Sequence, residues 1–202
     1  MHPIVYDVAV SLDGFISGPS GDISKFAHEG PVVEDYSSRL DTYKMALLGR
    51  RTYEFGYDFG LQPGQNPYPN MKTAVFSETM KAPPDAEILV RKRPTPADIR
   101  QLVGDAEGTV YLCGGGDFAG WMLKHELIDR LILKRAPCIL GNGVRLFGSD
   151  APSLSMSRIR TKTYENGYLL EDCRRQVYLK PITKPPKKGG ASLWARSRPL
   201  IV

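Results

Sequence analysis

One stretch constrains the rest of this sequence: Gly108 to Leu123. An apolar run, Val110 to Cys113, has the character of a buried strand. Three glycines follow, Gly114 to Gly116, and then Phe118, Trp121, Met122 and Leu123 recur with helical spacing. A strand that passes through glycines into a helix brings backbone N–H groups to the helix N-terminus, where they and the helix dipole favour an anion such as a phosphate. Glycine allows close approach and positive φ, which a Cβ would forbid. The same pattern is also a plain tight strand-to-helix connection, and at this point both readings stand.

The remaining chain repeats the theme. Ile4–Val10 reads as a first, central strand. It ends in a Gly/Asp/Ser-rich loop, Ser11 to Asp22, that keeps two large apolar residues, Phe15 and Ile16. Such a loop is either a turn built on Asp13-Gly14 or a flap beside a ligand. Helical spacing of Tyr36, Leu40, Tyr43 and Leu47 predicts a helix over 32–46. Met45–Leu48 is a short strand running into Gly49-Arg50-Arg51-Thr52, a second strand–glycine–helix junction. Thr73–Phe76 is a strand followed by Ser77-Glu78-Thr79, and Glu87–Val90 is one followed by Arg91-Lys92-Arg93. Thr95-Pro96-Ala97-Asp98 has the form of a capped helix start. Leu127–Ala136 contains a further strand, and Val144–Phe147 follows a turn-rich bridge. Asn166-Gly167 marks a tight hairpin whose return strand is Tyr168–Val177. Alternating strands and helices closed by a hairpin predict an α/β fold with a mostly parallel sheet and an antiparallel C-terminal edge.

Composition narrows the function classes. No apolar run reaches the ~20 residues that span a bilayer, and the N-terminus lacks a basic segment followed by a long apolar one. A soluble, cytoplasmic protein without membrane partners is expected. Cys113, Cys138 and Cys173 are far apart, and His2, His28 and His125 form no cluster, so neither a metal site nor a disulfide framework is expected. The net charge of +5 comes from 27 basic and 22 acidic residues, but six of the basic ones fall in 180–202, where there is no acidic residue. The body is left near neutrality, so no nucleic-acid surface is expected. Residues 1–179 are expected to form one domain. Residues 180–202 are expected to be a basic Pro/Gly-rich disordered tail.

Three strand ends thus carry similar groups: arginines and a hydroxyl at Gly49–Thr52, hydroxyls at Ser77 and Thr79, and bare backbone at Gly114–Gly116. Parallel α/β sheets bind ligands at the carboxyl ends of their strands, and three such places suggest a dinucleotide. The glycines do not form GxGxxG at the first strand–helix turn, which argues against an ordinary Rossmann domain.

The segments Val8-Ala-Val-Ser-Leu-Asp-Gly-Phe-Ile16, Leu48-Gly-Arg-Arg-Thr-Tyr53, Val110-Tyr-Leu-Cys-Gly-Gly-Gly116 and Pro137-Cys-Ile-Leu-Gly-Asn-Gly-Val-Arg-Leu-Phe147 resemble the dihydrofolate reductase-like superfamily. They are most similar to the reductase (C-terminal) domain of the bifunctional riboflavin-biosynthesis deaminase-reductases and its small stand-alone relatives, over roughly residues 3–178. The resemblance implies a three-layer fold, NADPH along the carboxyl edge, hydride transfer to a small heterocyclic or ribityl-type substrate, and often a homodimer. It implies Gly49, Arg50, Arg51 and Thr52 at the 2′-phosphate and pyrophosphate, and Ser77 and Thr79 near the adenosine. It implies Gly114, Gly115 and Gly116 along the pyrophosphate and nicotinamide, and Ser11, Leu12, Asp13 and Gly14 as a loop over the nicotinamide. The arginines favour NADPH over NADH. No zinc motif of a deaminase occurs in the chain, so a fused two-step enzyme is not expected. Asp13, Asp35 or an ordered water is the candidate proton donor, and Glu34 and Asp35 fall near the family's pterin-binding carboxylate. A nucleotide-binding module without turnover is the alternative.

Overall fold

The computed structural model describes residues 2–92 and 94–176. The expected tail, 180–202, lies outside the described residues. The strands are β1 (Ile4–Val10), β2 (Phe15–Ser17), β3 (Met45–Gly49), β4 (Lys72–Phe76), β5 (Leu89–Arg91), β6 (Val110–Gly114), β7 (Arg130–Arg135), β8 (Val144–Arg145), β9 (Met156–Thr163) and β10 (Leu169–Arg175). The α-helices are α1 (Pro31–Leu40), α2 (Arg50–Phe55), α3 (Pro96–Gly104) and α4 (Gly116–Lys124).

Among the described residues, eight strands form one sheet in the order β5-β4-β3-β6-β1-β7-β10-β9. β1 is parallel to β6 on one side and to β7 on the other. The parallel set continues outward through β3, β4 and β5. β10 runs antiparallel between β7 and β9. The architecture is the expected one: α/β, mostly parallel, closed by an antiparallel hairpin. Its central strands are mostly apolar because both faces are covered. Val110, Tyr6, Leu112 and Leu47 pack with Ile99, Val103, Ala119 and Met122 of α3 and α4. Val5, Ala46, Tyr111 and Ile132, pointing the other way, pack with Val32 of α1 and Tyr53 of α2.

Local signals mostly act as expected. Thr95 and Asp98 form a reciprocal capping box at the start of α3. Asn166-Gly167 turns the β9–β10 hairpin with Gly167 at φ 82°, and Tyr164 N–H donates to Tyr168 O at 2.9 Å. One helix is shorter than expected. α1 ends at Leu40 and 41–44 form a turn. Tyr43 and Leu47 continue the helical spacing for a different reason: Tyr43 stacks on Tyr111 at 5.3 Å between ring centroids, and Leu47 belongs to β3. The loop 11–22 also contains structure, since β2 pairs with β8. Among the described residues no helix is long and apolar enough to cross a membrane.

Candidate functional site

The carboxyl ends of β4, β3, β6 and β1 lie side by side, and the sheet order brings the four expected segments that follow them to one edge. Gly49, at the end of β3, has room for a Cβ only at 3.4 Å from Phe118 and 3.6 Å from the Gly114 carbonyl. A Cβ on Gly115 would stand 2.8 Å from Thr52 Oγ1. The two glycine junctions are therefore packed against each other. Gly115 is the N-cap residue of α4 and makes no side-chain cap, and α2 likewise starts from Gly49 without one. The first N–H groups of a helix need partners from outside it. α3 supplies its own through the capping box, whereas neither α2 nor α4 has a side-chain cap.

The three glycines do different work. Gly114 holds φ 112°, a left-handed conformation that side chains disfavour. Gly115 makes room for Thr52. Gly116 makes room for protein, because a Cβ there would lie 2.0 Å from the Arg145 carbonyl oxygen. Its lack of a side chain seats α4 on the 145–148 segment.

Arg50 and Arg51 stand at this edge and are partnered. Arg50 bonds Glu54 at 2.8 Å, and Arg51 pairs with Asp117 on the first turn of α4. Arg51 is 78% exposed and Asp117 68%. Pairs this wet are worth about 0–1 kcal/mol, so neither holds its arginine firmly. Ser77 is buried, and its Oγ accepts from the Thr79 and Met80 N–H groups at 3.2 and 2.9 Å. It orders the turn after β4. Beside it lies a cleft of about 350 Å³ lined by Phe76 and Leu102, by the basic Arg91 and Lys92 and by the acidic Asp98 and Asp105, among others. Arg91 and Lys92 read in the sequence only as a basic run after a strand.

At the end of β1 the loop 11–14 is tied down. Ser11 Oγ donates to Asp13 Oδ1 at 2.6 Å, and the Asp13 carboxylate accepts from Leu140 and Gly141 N–H at 3.1 and 2.7 Å. Leu12 N–H donates to Cys138 O and Leu146 N–H to Gly14 O. The Ser11 hydrogen bond, with the two backbone donors, holds the Asp13 carboxyl down at about 2. It carries no proton at neutral pH and serves as an anchor. Leu12 and Ile139 on the two tied segments remain 54% and 72% exposed. Asp35 lies elsewhere, at the hairpin end. Its carboxylate takes Lys162 at 2.5 Å and the Tyr164 hydroxyl at 2.6 Å, and the Lys162 hydrogen bond leads in lowering its carboxyl. Both expected proton-donor carboxyls are thus ionised and occupied. Glu34, on the same first stretch of α1, is exposed.

A group of residues that sequence reasoning passed over lies on the α1 face beside the glycine junction. Ala9 of β1 and Cys113 of β6 sit on interior strands and are half-buried. Tyr36 of α1 and Tyr68, from the 56–70 segment, are also only half-buried. Tyr36 and Tyr111 share a hydroxyl–hydroxyl hydrogen bond of 2.6 Å, and the Tyr68 hydroxyl meets Cys113 Sγ at 3.2 Å. Burial pushes the Cys113 thiol up, so it is a neutral polar group. Behind Tyr36, Asp7 is buried and binds Arg39 at 2.7 and 3.3 Å, Lys134 at 2.8 Å and the Tyr43 hydroxyl at 3.2 Å.

Comparison with known proteins follows this geometry. The family model described as RibD C-terminal domain matches residues 3–170. The uncharacterized protein YwjB of Bacillus subtilis is 29% identical over 141 residues, covering 69% of this chain and 79% of YwjB. A crystal structure of a Shewanella sp. PV-4 protein named for riboflavin biosynthesis is 25% identical, with a TM-score of 0.73, covering 88% of this chain and all of that one. Dihydrofolate reductase from Enterococcus faecalis, solved with NADP(H), shares the fold at 16% identity and a TM-score of 0.60, covering 87% and 97% of the two chains.

Proposed function

This chain belongs to the RibD C-terminal domain family, and on that premise we propose that it is an NADPH-dependent reductase of a small heterocyclic or ribityl-type substrate, working as a homodimer. The observation that carries the reading is the packing of Gly49 and Thr52 against Gly114 and Gly115 at the carboxyl edge, where neither α2 nor α4 has a side-chain cap over its first N–H groups. These N–H groups suit a pyrophosphate. Arg50 and Arg51 would take the 2′-phosphate through their planar forks. The cleft by Phe76 and Leu102 would seat the adenosine next to Ser77 and Thr79. Ser11 to Gly14, fixed by Asp13, would close over the nicotinamide, with Leu12 and Ile139 keeping water away. When bound, the reduced cofactor supplies the hydride. The chain's own part is to hold, orient and exclude solvent, which accounts for a site with no nucleophile–base pair.

Titration of the purified protein with NADPH and NADH, read by cofactor fluorescence, tests this. Arg50→Ala with Arg51→Ala is expected to weaken NADPH by tenfold or more, the scale of one to two lost charge-assisted contacts, and to leave NADH nearly unchanged. Equal loss for both cofactors refutes the phosphate assignment. Binding without oxidation of NADPH by pterin, aminopyrimidine or quinone acceptors refutes turnover.

A further inference from the structure

The reductase reading leaves one sequence feature unused: the apolar pair Leu193-Trp194, set between Lys187-Lys188 and Arg196 in the basic stretch 180–202. The family match ends at residue 170, so this stretch lies beyond it, as it lies outside the described residues. The described part offers a place for the pair. On the α4 face of the sheet is a cleft of about 150 Å³, lined among others by the buried Ile128 and Leu131, the half-buried Phe147, Leu154 and Met156, and the exposed Ala151. Every residue that lines it is apolar, so water within it finds few partners.

The described chain ends beside this cleft. Arg175, the last residue of β10, is in register with Met156, and the Gln176 N–H donates to Ser155 O at 3.3 Å. Sixteen residues, 177–192, separate Gln176 from Leu193. A flexible coil of that length spans about 20–24 Å r.m.s., and a short tether holds its end at a roughly millimolar effective concentration. A contact of only millimolar strength is then half filled. Charge agrees with this. Glu126 and Asp129 flank Ile128, and Asp150 precedes Ala151. Arg175 and Lys124 are their cations, and on β9 Arg158 is taken by Glu171. Three carboxylates against two cations leave this rim negative, facing a stretch that has basic residues and no acidic one.

We propose that the cleft between Ile128, Phe147, Leu154 and Met156 is the docking site of the same chain's Leu193-Trp194, with the indole of Trp194 against Met156 and Phe147. An indole brings a large apolar surface with few rotatable bonds, and a thioether beside an aromatic ring adds a favourable contact. Lys187, Lys188 and Arg196 meet the acidic rim. The tether favours the chain's own cleft over that of a second copy, whose concentration in solution is far below millimolar. The proposal is independent of the reductase reading.

Two measurements on the full chain test it. The first is oxidation of methionines by dilute hydrogen peroxide, followed by peptide mass spectrometry. Access governs the rate of sulfoxide formation. Met156 should oxidise several-fold faster in Trp194→Ser than in the parent protein. Met80, likewise half-buried but on the turn after β4, should be unchanged. A Met156 rate that does not move, or one that rises together with that of Met80, overturns the proposal. The second is photo-cross-linking from p-benzoylphenylalanine incorporated at position 194, in an equal mixture of ¹⁵N-labelled and unlabelled protein. Cross-links are expected to residues 123–131 and 147–156, with both peptides of each link carrying the same isotope. Their yield should fall by about tenfold or more in Leu154→Asp, which sets a charge among apolar groups. It should fall likewise in Ala151→Trp, whose exposed position lets an indole enter the cleft without altering the core. Links of mixed isotope would assign the cleft to a second copy. Links elsewhere on the surface, no links, or a yield unchanged in both variants would mean that position 194 does not occupy the cleft. Each of these overturns the proposal.

Discussion

Asp7→Asn tests the polar group under the sheet most directly. Asp7 is 1% exposed. Burial alone would raise its carboxyl, but Lys134 and then Arg39 outweigh that and hold it below the ordinary carboxylate range. Lys134 is brought down to about 8, chiefly by burial, with Asp7 opposing the fall. Asparagine keeps the shape and removes the charge. Without Asp7 the lysine is more stable as the neutral amine. At pH 7 its proton must then be given up about one unit below that value, a loss of about 1 kcal/mol. Arg39 cannot neutralise, and its lost charge-assisted hydrogen bonds cost about 2–3 kcal/mol. The total at pH 7 is about 3–4 kcal/mol, within the range for breaking a buried pair. At pH 9 Lys134 is already neutral in the parent protein, so its share vanishes and about 2–3 kcal/mol remains. The sign follows from proton counting: between pH 7 and 8 the parent native state holds a proton that the variant does not, so the difference shrinks as pH rises. Urea unfolding of both proteins at pH 7 and 9 reads this out. A loss under about 1 kcal/mol at pH 7, or one that grows toward pH 9, would refute the account.

Other substitutions probe the edge. Gly116→Ala places a methyl 2.0 Å from the Arg145 carbonyl oxygen, so the backbone must move. A loss of about 2–3 kcal/mol is expected from such overpacking, whereas Gly141→Ala, at φ 74° with nothing within 4 Å, should cost about 1 kcal/mol for its backbone alone. Asp13→Asn should speed hydrogen exchange at the Leu140 and Gly141 amides, which lose their carboxylate acceptor. In the parent protein the same protection should be whole above about pH 4 and fade as pH falls through about 2, where the native carboxyl titrates. Unchanged exchange in the variant would remove Asp13 as the anchor of that loop.

Much of this architecture was legible locally. Thr95 and Asp98 announce their helix because both partners of the capping box lie within four residues, and Asn166-Gly167 announces its hairpin for the same reason. The strand–glycine–helix junctions at Gly49 and Gly114 were visible for the same local reason. What was hidden depended on distant partners. Asp7 drew no notice within the strand Ile4–Val10, because Lys134 is 127 positions away. Asp35 looked available until Lys162 and Tyr164 arrived from the hairpin. Tyr43 misled because one aromatic can satisfy a helical period while serving a turn. Nor does a glycine state whether it makes room for a ligand or, like Gly116, for its own chain.

The sheet order also bears on how the molecule comes to be folded. β1 emerges first and ends up in the middle, with Ile4 N–H donating to the Asp129 carboxylate 125 positions later. Its two neighbours, β6 and β7, begin at Val110 and Arg130. At synthesis rates of about 5–20 residues per second, the apolar segment 4–10 waits several seconds for the strands that cover it. Loop-closure entropy delays such pairings further. Over that interval the strand has two open edges, and a chaperone or a second nascent chain competes for the place that β6 and β7 will take.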